Sequence, residues 1–446
     1  MALSGEMNIQ QAIDDSRFSI FHWTLIILGF LVLAIDGFDT AAMGYIAPAL
    51  SSDWGIKKQD LGPVLSAALL GLSLGALIAG PVSDRIGRKR VLVFSCLFFG
   101  LASLGTAYAQ SINTLTTWRF LTGLGLGAAM PNAITLISEY APQRCRSMTI
   151  NTMYCGFPLG AAGGGFISSW LIPAHGWHSV LLLGAIAPLV LTVLLFFLLP
   201  ESVKYLVNRG GNVEQIKRIV RRFAAQSIDN VQRFYLHEEQ KTQSKGSVSQ
   251  LFSAAYLPGT LMLWMSYFMG LVIYYVLLSW MPILMQGMGY EMGQSAMLTS
   301  LFTFGGTAGI LVAGWLMDRW EAHKVVAVGF IVTTLFIILM AQENSHIWLF
   351  GALIFLMGIT MNGAQSGMQT LAATFYPTQC RATGIAWMQG VGRFGGVAGT
   401  MMSAQLLSMQ WQADSILMFL GLPALIAAFA TIYKKWRCQP LAQAAL

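Results

Sequence analysis

The chain has 446 residues, 55% of them hydrophobic and 10% charged, with a mean hydropathy of +0.62 and a formal net charge of +7. A soluble domain carries roughly 25% charged residues, so an ordinary globular fold is excluded and the chain reads as a protein threaded many times through a membrane. The lysine and arginine excess falls between hydrophobic runs, where it reports topology, and is not read as a nucleic-acid surface.

About 20 apolar residues cross the hydrocarbon core of a bilayer. Runs of that order are predicted at 23–48, 61–83, 91–110, 115–139, 147–171 and 179–199, then at 256–282, 294–317, 325–342, 347–373, 382–408 and 413–433. They are continuous rather than alternating, and a backbone in lipid must satisfy its own hydrogen bonds, so they are helices and not barrel strands. The expected fold is an all-α membrane protein of twelve transmembrane helices: a first six-helix bundle (1–200), a cytoplasmic linker (201–255), and a second six-helix bundle with a tail (256–446). The linker holds nine basic and five acidic residues and is expected to be partly helical around Val213 to Ala225, serving topology and tethering.

With both termini on one side, that side collects Arg17, Arg85, Arg88, Lys89, Arg90, Arg144, Arg146, the linker cations, Arg319, Lys324, Arg381, Lys434, Lys435 and Arg437. The opposite loops keep only Lys57 and Lys58. This bias puts both termini in the cytoplasm. Cys96, Cys145, Cys155, Cys380 and Cys438 show no paired spacing, which implies neither a disulfide framework nor a zinc site. No short apolar stretch with a small-residue cleavage site precedes the first span, so it is expected to be an uncleaved helix.

The two halves repeat. GPVSDRIGRKRV, from Gly80 to Val91, aligns with GWLMDRWEAHKV, from Gly314 to Val325, at an offset of 234. YAPQRCRSM around Arg146 aligns with FYPTQCRAT around Arg381 at an offset of 235. A near-constant offset indicates duplication of a six-span unit, and parallel six-span halves are a transporter architecture with its site near the midplane between them.

Asp36 and Asp39 are the only charges between Trp23 and Leu50. A carboxylate at membrane depth costs roughly 2.5 to 3.5 kcal/mol on insertion scales, so two in one span indicate an ion or substrate pathway, the alternative being helix-end caps outside the bilayer. A spacing of three puts them on one helical face, about 4.5 Å apart along the axis. Close carboxylates in low dielectric resist ionising together, so one can carry a proton near neutral pH. Arg119 and Arg393 also lie at membrane depth, where a guanidinium fork can pair with an aspartate or bind a substrate carboxylate. Counting helical rise, Asp39 and Arg119 are expected as the closer pair and Arg393 as the better anion site, with Asp39 the stronger candidate for coupling. None of these four charges is duplicated at the repeat offset: Leu271, Tyr274, Pro158 and Ile354 stand at the matching positions.

In the loop after the second span, Asp84, Arg85, Gly87, Arg88, Lys89 and Arg90 supply a carboxylate and several cations where helices meet at the basic surface. Charge pairs across that seam are expected to hold a gate. The second copy keeps Asp318, Arg319 and Lys324 but has Trp320, Glu321 and His323 at the altered positions, so gating there is expected to be weaker. Asn362, Gln365, Ser366 and Gln369 form one polar helical face, and Gln389 sits one turn before Arg393. These groups either line a cavity and hydrogen-bond a ring hydroxyl or bond between helices. Phe38, Tyr154, Tyr274 and Trp387 are candidates to stack on an aromatic ring. Gly123, Gly125 and Gly127 suit close helix packing better than phosphate binding. Glu139 is expected near Arg144 or Arg146, or on a proton exit path, and no metal spacing links His175, His178 and His346.

The DRIGRKR loop and its degenerate copy resemble the signature of the major facilitator superfamily. DGFDTAAMGYIAPAL, WRFLTGLGLGAAMPN, WMPILM and NGAQSGMQTLAATFYPTQCRATGIAWMQGVGRFGG resemble the aromatic acid:proton symporters, above all those for 4-hydroxybenzoate and protocatechuate. The resemblance implies the major facilitator fold, with Asp36 and Asp39 as the proton-coupling element; the residue pattern itself offers Arg119, Arg393, Gln389, Asn362 and Gln365 as the substrate-binding candidates. It implies import of an aromatic carboxylate with protons across the inner membrane; the chain itself suggests no cofactor, metal or obligatory protein partner, with membrane lipid around it. A symporter for another organic anion such as muconate, or a membrane receptor for aromatic acids, is the alternative. An enzyme is not expected, since the chain offers no nucleophile–base pair, nucleotide loop or metal cluster.

Overall fold

A computed structural model of the chain describes residues 6–224, 231–236, 249, 251–342, 346–376 and 380–443. Twelve hydrophobic stretches form the helices expected of them. In the first half these are α1 (Ile20–Trp54), α2 (Gly62–Ile86), α3 (Arg88–Ala107), α4 (Ile112–Tyr140), α5 (Arg146–Tyr154 continued by Gly156–His175) and α6 (His178–Leu198). The second half holds α7 (Leu257–Gly287), α8 (Met292–Arg319), α9 (Ala322–Gln342), α10 (Ile347–Phe375), α11 (Arg381–Ser408) and α12 (Ala413–Phe419 continued by Gly421–Gln443). Among the described residues eleven helices are long and apolar enough to cross a membrane. The exception is α11, which carries Gln389, Arg393 and six glycines.

The two interrupted helices break for one reason. Each first piece ends four residues before a proline, at Tyr154 before Pro158 and at Phe419 before Pro423. A proline ring has no N–H to donate to that carbonyl and collides with it. Other ends use glycine: Gly55, at φ 63°, closes α1 by donating its N–H to Ser51 O. Gly87, at φ 104°, makes the corner between α2 and α3, and a Cβ there would lie 2.3 Å from Glu201 Oε2. No other residue fits that corner without displacing Glu201.

Odd-numbered helices start at the end that carries the termini, which is also the basic end. At the opposite end the two halves meet in three crossings. On α1, a Cβ at Gly44 would stand 2.6 Å from Leu278 O of α7; on α5, one at Gly165 would stand 1.9 Å from Ser300 Oγ of α8. Ser66 of α2 reaches Met401 Sδ of α11 at 3.4 Å. These contacts seal the far end, while toward the basic end the halves diverge around a cavity.

Beneath the first half, the chain folds further. Residues Glu6–Asn8 pair in parallel with Arg233–Tyr235, and short helices cover Ile9–Asp14, Val203–Asn208 and Val213–Val220. Ile9, Ile13, Ile216, Val220, Phe223 and Phe234 join the buried cluster that includes Leu25, Leu136 and Tyr140. The first part of the expected linker therefore packs on the first bundle. Residues 225–230, 237–248 and 250 of it lie outside the described residues.

Candidate functional site

Between the halves lies a cavity of about 280 Å³. The first half contributes a mostly apolar wall of Met130, Pro131 and Ile134 from α4 and Phe157 and Pro158 from α5, interrupted by Asp36 and Tyr154. The second half contributes a mostly polar one. Tyr267, Leu271, Tyr274 and Tyr275 recur along one face of α7, and Asn362, Gln365, Ser366 and Gln369 along one face of α10. Gln389 and Arg393 follow from adjacent turns of α11.

Several of these polar groups are held in place. Gln389 Nε2 donates to Gln369 Oε1 at 2.8 Å, which ties α11 to α10. Gln365 Nε2 reaches Tyr267 O at 3.4 Å, leaving Gln365 Oε1 buried without a partner among the described residues, and Asn362 Nδ2 donates to Gly358 O at 3.0 Å. Arg393 differs from all of them: among the described residues no hydrogen bond or ion pair holds it, while Asp36, Tyr154, Tyr267 and Tyr275 lie within its electrostatic reach.

The two aspartates have separate surroundings. Asp39, 2% exposed, accepts from Arg119 Nη1 through Oδ1 at 3.0 Å and Oδ2 at 2.9 Å; Arg119 Nη2 also donates to its backbone carbonyl at 3.3 Å, and Ser103 Oγ to Oδ1 at 3.4 Å. The closer pair expected from helical depth is thus present. Arg119, 1% exposed, is occupied by that pair and borders a small void of about 10 Å³ outside the main cavity, although it was expected among the substrate contacts. Asp36 faces the main cavity, 1% exposed, with one bond from Thr40 Oγ1 at 3.3 Å and with Oδ2 unpartnered among the described residues.

At the basic end the loop charges pair within the first half. Arg88 Nη2 meets Asp84 at 2.8 Å and Arg88 Nε stands 3.6 Å from Glu139. Glu201 accepts from the backbone N–H of Lys89, at the start of α3, at 3.0 Å, where a carboxylate complements the helix dipole. Side chains of Arg85 and Arg90 are exposed, and the Arg85 carbonyl accepts from Tyr205 Oη at 2.9 Å. With the halves apart here, no pair among the described residues spans from this loop to the second half. In the second copy Arg319 lies over the Trp315 ring at 4.1 Å and Asp318 is exposed. Glu321 instead binds Lys435 of α12 at 2.6 Å and Lys324 at 3.7 Å. The hydrogen bond from Lys435 holds its carboxyl below the usual range.

Three expectations are corrected. Phe38 packs against Gly164 and Gly184, and Trp387 stacks on Trp264 with centroids 5.8 Å apart, so neither ring lines the cavity. Glu139 meets Arg88 and Ser202 rather than Arg144 or Arg146, which bond the carbonyls of Ser16 and Ala141. Tyr267 and Tyr275 were missed, yet their spacing of seven and eight with Leu271 and Tyr274 was the available signal. Gly123 and Gly127 do permit close packing: a Cβ at either would stand 2.0 Å from Ala68 O or 2.1 Å from Leu72 O of α2.

The sequence profile described as Major Facilitator Superfamily matches residues 29–299 and 291–442. A curated relative from Acinetobacter baylyi, "4-hydroxybenzoate transporter PcaK", is 48% identical over 96% of this chain and 94% of its own length. A "Gallate transporter" from Pseudomonas putida is 42% identical over 96% of this chain and 94% of its own. Among solved structures, that of a D-xylose-proton symporter superposes with a TM-score of 0.74 at 15% identity, covering 94% of this chain and 98% of the other.

Proposed function

The chain belongs to the Major Facilitator Superfamily, and from that premise we propose that it imports a hydroxylated aromatic carboxylate with a proton, by alternating access. The observation that carries the reading is Arg393: a guanidinium free of protein partners among the described residues, in a cavity walled by tyrosines, amides, Ser366 and apolar groups with Asp36 as its one carboxylate. A planar fork binds a carboxylate through two parallel hydrogen bonds, which are charge-assisted and strong in a low-dielectric site. The ring then lies between the apolar wall of α4 and α5 and the tyrosines of α7, while Gln365 Oε1 and Asn362 offer acceptors to a ring hydroxyl. The names of the relatives, carriers of 4-hydroxybenzoate and gallate, agree with that chemistry.

Asp36 carries the proton, a revision of the preference for Asp39. Both are buried, but Asp39 is neutralised by Arg119, whereas Asp36 opens on the cavity with an oxygen unpartnered. A charged carboxylate there is costly until it gains a proton or a cation, so its occupancy is linked to which side the cavity faces. The sealed far end and divergent basic end describe the state that releases substrate toward the side of the termini. The positive-inside bias makes that side the cytoplasm, in an inner membrane, and the six-helix halves are the bodies that rock about the site.

The test is uptake of labelled 4-hydroxybenzoate by proteoliposomes under an imposed pH gradient, with a protonophore control and competition by benzoates of differing ring hydroxylation. Uphill accumulation that the protonophore abolishes is expected. Binding without accumulation would identify a receptor. Asp36→Asn should lose accumulation while keeping counterflow exchange; undiminished uphill uptake by that variant sinks the coupling assignment.

A further inference from the structure

A second cavity, of about 390 Å³, lies on the outer surface of the second half between α8, α9 and α10, near the basic end. Its lining is apolar apart from Thr360 and Lys324, and Thr360 Oγ1 is already bonded to Thr333 Oγ1 at 2.9 Å and to Met357 O at 3.1 Å. Val312, Val328 and Trp320 at its margin are 43%, 55% and 66% exposed on the membrane-facing surface.

The repeat explains why the cleft exists. At the offset of 234, Val328 and Val332 stand where the first half has Phe94 and Phe98, whose rings stack at 6.4 Å, and Gly329 stands where it has Ser95. Smaller side chains at matched positions leave this surface open where the first half carries a mutually stacked pair of rings. A slot open to the hydrocarbon cannot be filled favourably by water, because its walls offer no hydrogen bonds.

We propose that this cleft is a binding site for one acyl chain of an anionic phospholipid, with the headgroup phosphate at Lys324 and Arg319. Charge decides the lipid class. At the mouth Lys324 lines the cleft with its side chain 69% exposed, Arg319 adjoins it over the Trp315 ring, and Lys435 engages Glu321 at 2.6 Å, which leaves Asp318 as the one carboxylate there, among the described residues, set against two cations; Trp320 sits where an indole favours the headgroup level. The lipid also touches the transport machinery. On α10, Ile359, Thr360 and Gly363 wall the cleft while Asn362, Gln365 and Ser366 wall the central cavity. On α8, Gly309 faces the cleft and Ile310 the cavity. An acyl chain in the slot therefore braces the polar wall from behind.

The probe is phosphatidylglycerol carrying a photoreactive group on its acyl chain, incubated with the purified full-length chain, with phosphatidylcholine as the neutral comparison. Cross-links are expected to concentrate in peptides covering residues 309–332 and 359–364; an even spread over all lipid-facing helices overturns the proposal. In native mass spectrometry, the double variant Val328→Phe with Val332→Phe should retain roughly tenfold less phosphatidylglycerol. Lys324→Gln should lower the preference over phosphatidylcholine about fivefold. Retention equal to wild type in the double variant overturns the site. So does a dimer-to-monomer change by light scattering with unchanged lipid retention, which would assign the cleft to a second copy.

Discussion

The two halves of this protein share a frame and differ in what they bury. The first half keeps its carboxylates inside: Asp39 is locked to Arg119 and Asp36 opens on an otherwise apolar wall. Among the described residues the second buries no carboxylate at that depth and instead presents to the cavity amides, tyrosines and the cation Arg393. Duplication preserves what helix packing needs, such as small residues at crossings, and leaves unduplicated what chemistry needs. Under the proposed function, proton and anion are allotted to opposite bodies, each half moving one partner of the coupled pair.

Removing the locked pair should disturb this division most. Arg119→Ala leaves Asp39 buried and uncompensated, with an expected loss of about 3 to 5 kcal/mol, seen as a fall in thermal stability of the purified protein. The double variant Asp39→Asn with Arg119→Gln should be less damaged than Arg119→Ala; equal damage would show that the pair is not the cause. In the other half, Arg393→Lys should weaken apparent substrate affinity about tenfold with stability unchanged, since a point charge cannot reproduce the fork. Unchanged affinity in direct binding would remove Arg393 from the site.

The far-end seal offers a smaller lever. Gly165→Ala places a methyl against Ser300, whereas a Cβ at Gly163 in the same helix meets nothing within 4 Å. Overpacking costs of roughly 1 to 3 kcal/mol predict that Gly165→Ala depletes the state open at the basic end. Labelling of an Ile134→Cys probe from that end should slow in Gly165→Ala and not in Gly163→Ala. The smallest expected effect concerns Glu321. Its carboxyl is held below the usual range by Lys435, so the tie between the α8–α9 loop and α12 is present above the ordinary carboxylate range and is lost as pH falls through the lowered value. Hydrogen exchange around residues 320–325 should rise only under such acidity, and a rise already near neutral pH would contradict the assignment.

The helices were legible because continuous hydrophobic runs leave a lipid-embedded backbone no other choice. Helical rise alone brought Asp39 and Arg119 together, since opposite charges at matched depth in neighbouring spans have few alternatives. The aromatic picks at Phe38 and Trp387 missed because composition says nothing of which face a ring occupies, whereas the period along α7 does. The packing of Ile216, Val220 and Phe223 beneath the first bundle was hidden in a segment whose average polarity masks a few apolar anchors. The lateral cleft was out of reach from either half alone; it emerges only when side-chain volumes at aligned positions are compared.

The strand pairing of Glu6–Asn8 with Arg233–Tyr235 shortens the leash between the bundles. Chain length alone would allot the connection the whole of residues 201–255, but residues 203–223 and the strand Arg233–Tyr235 are fastened to the first bundle, and Leu251 is already buried against the second, its carbonyl accepting from Thr260. Fifteen residues remain between those anchors, with a maximum span of about 50 Å. That stretch is the natural place to sever the polypeptide: two fragments divided there would each keep all of their own anchors, and their reassembly would rest on the far-end crossings alone.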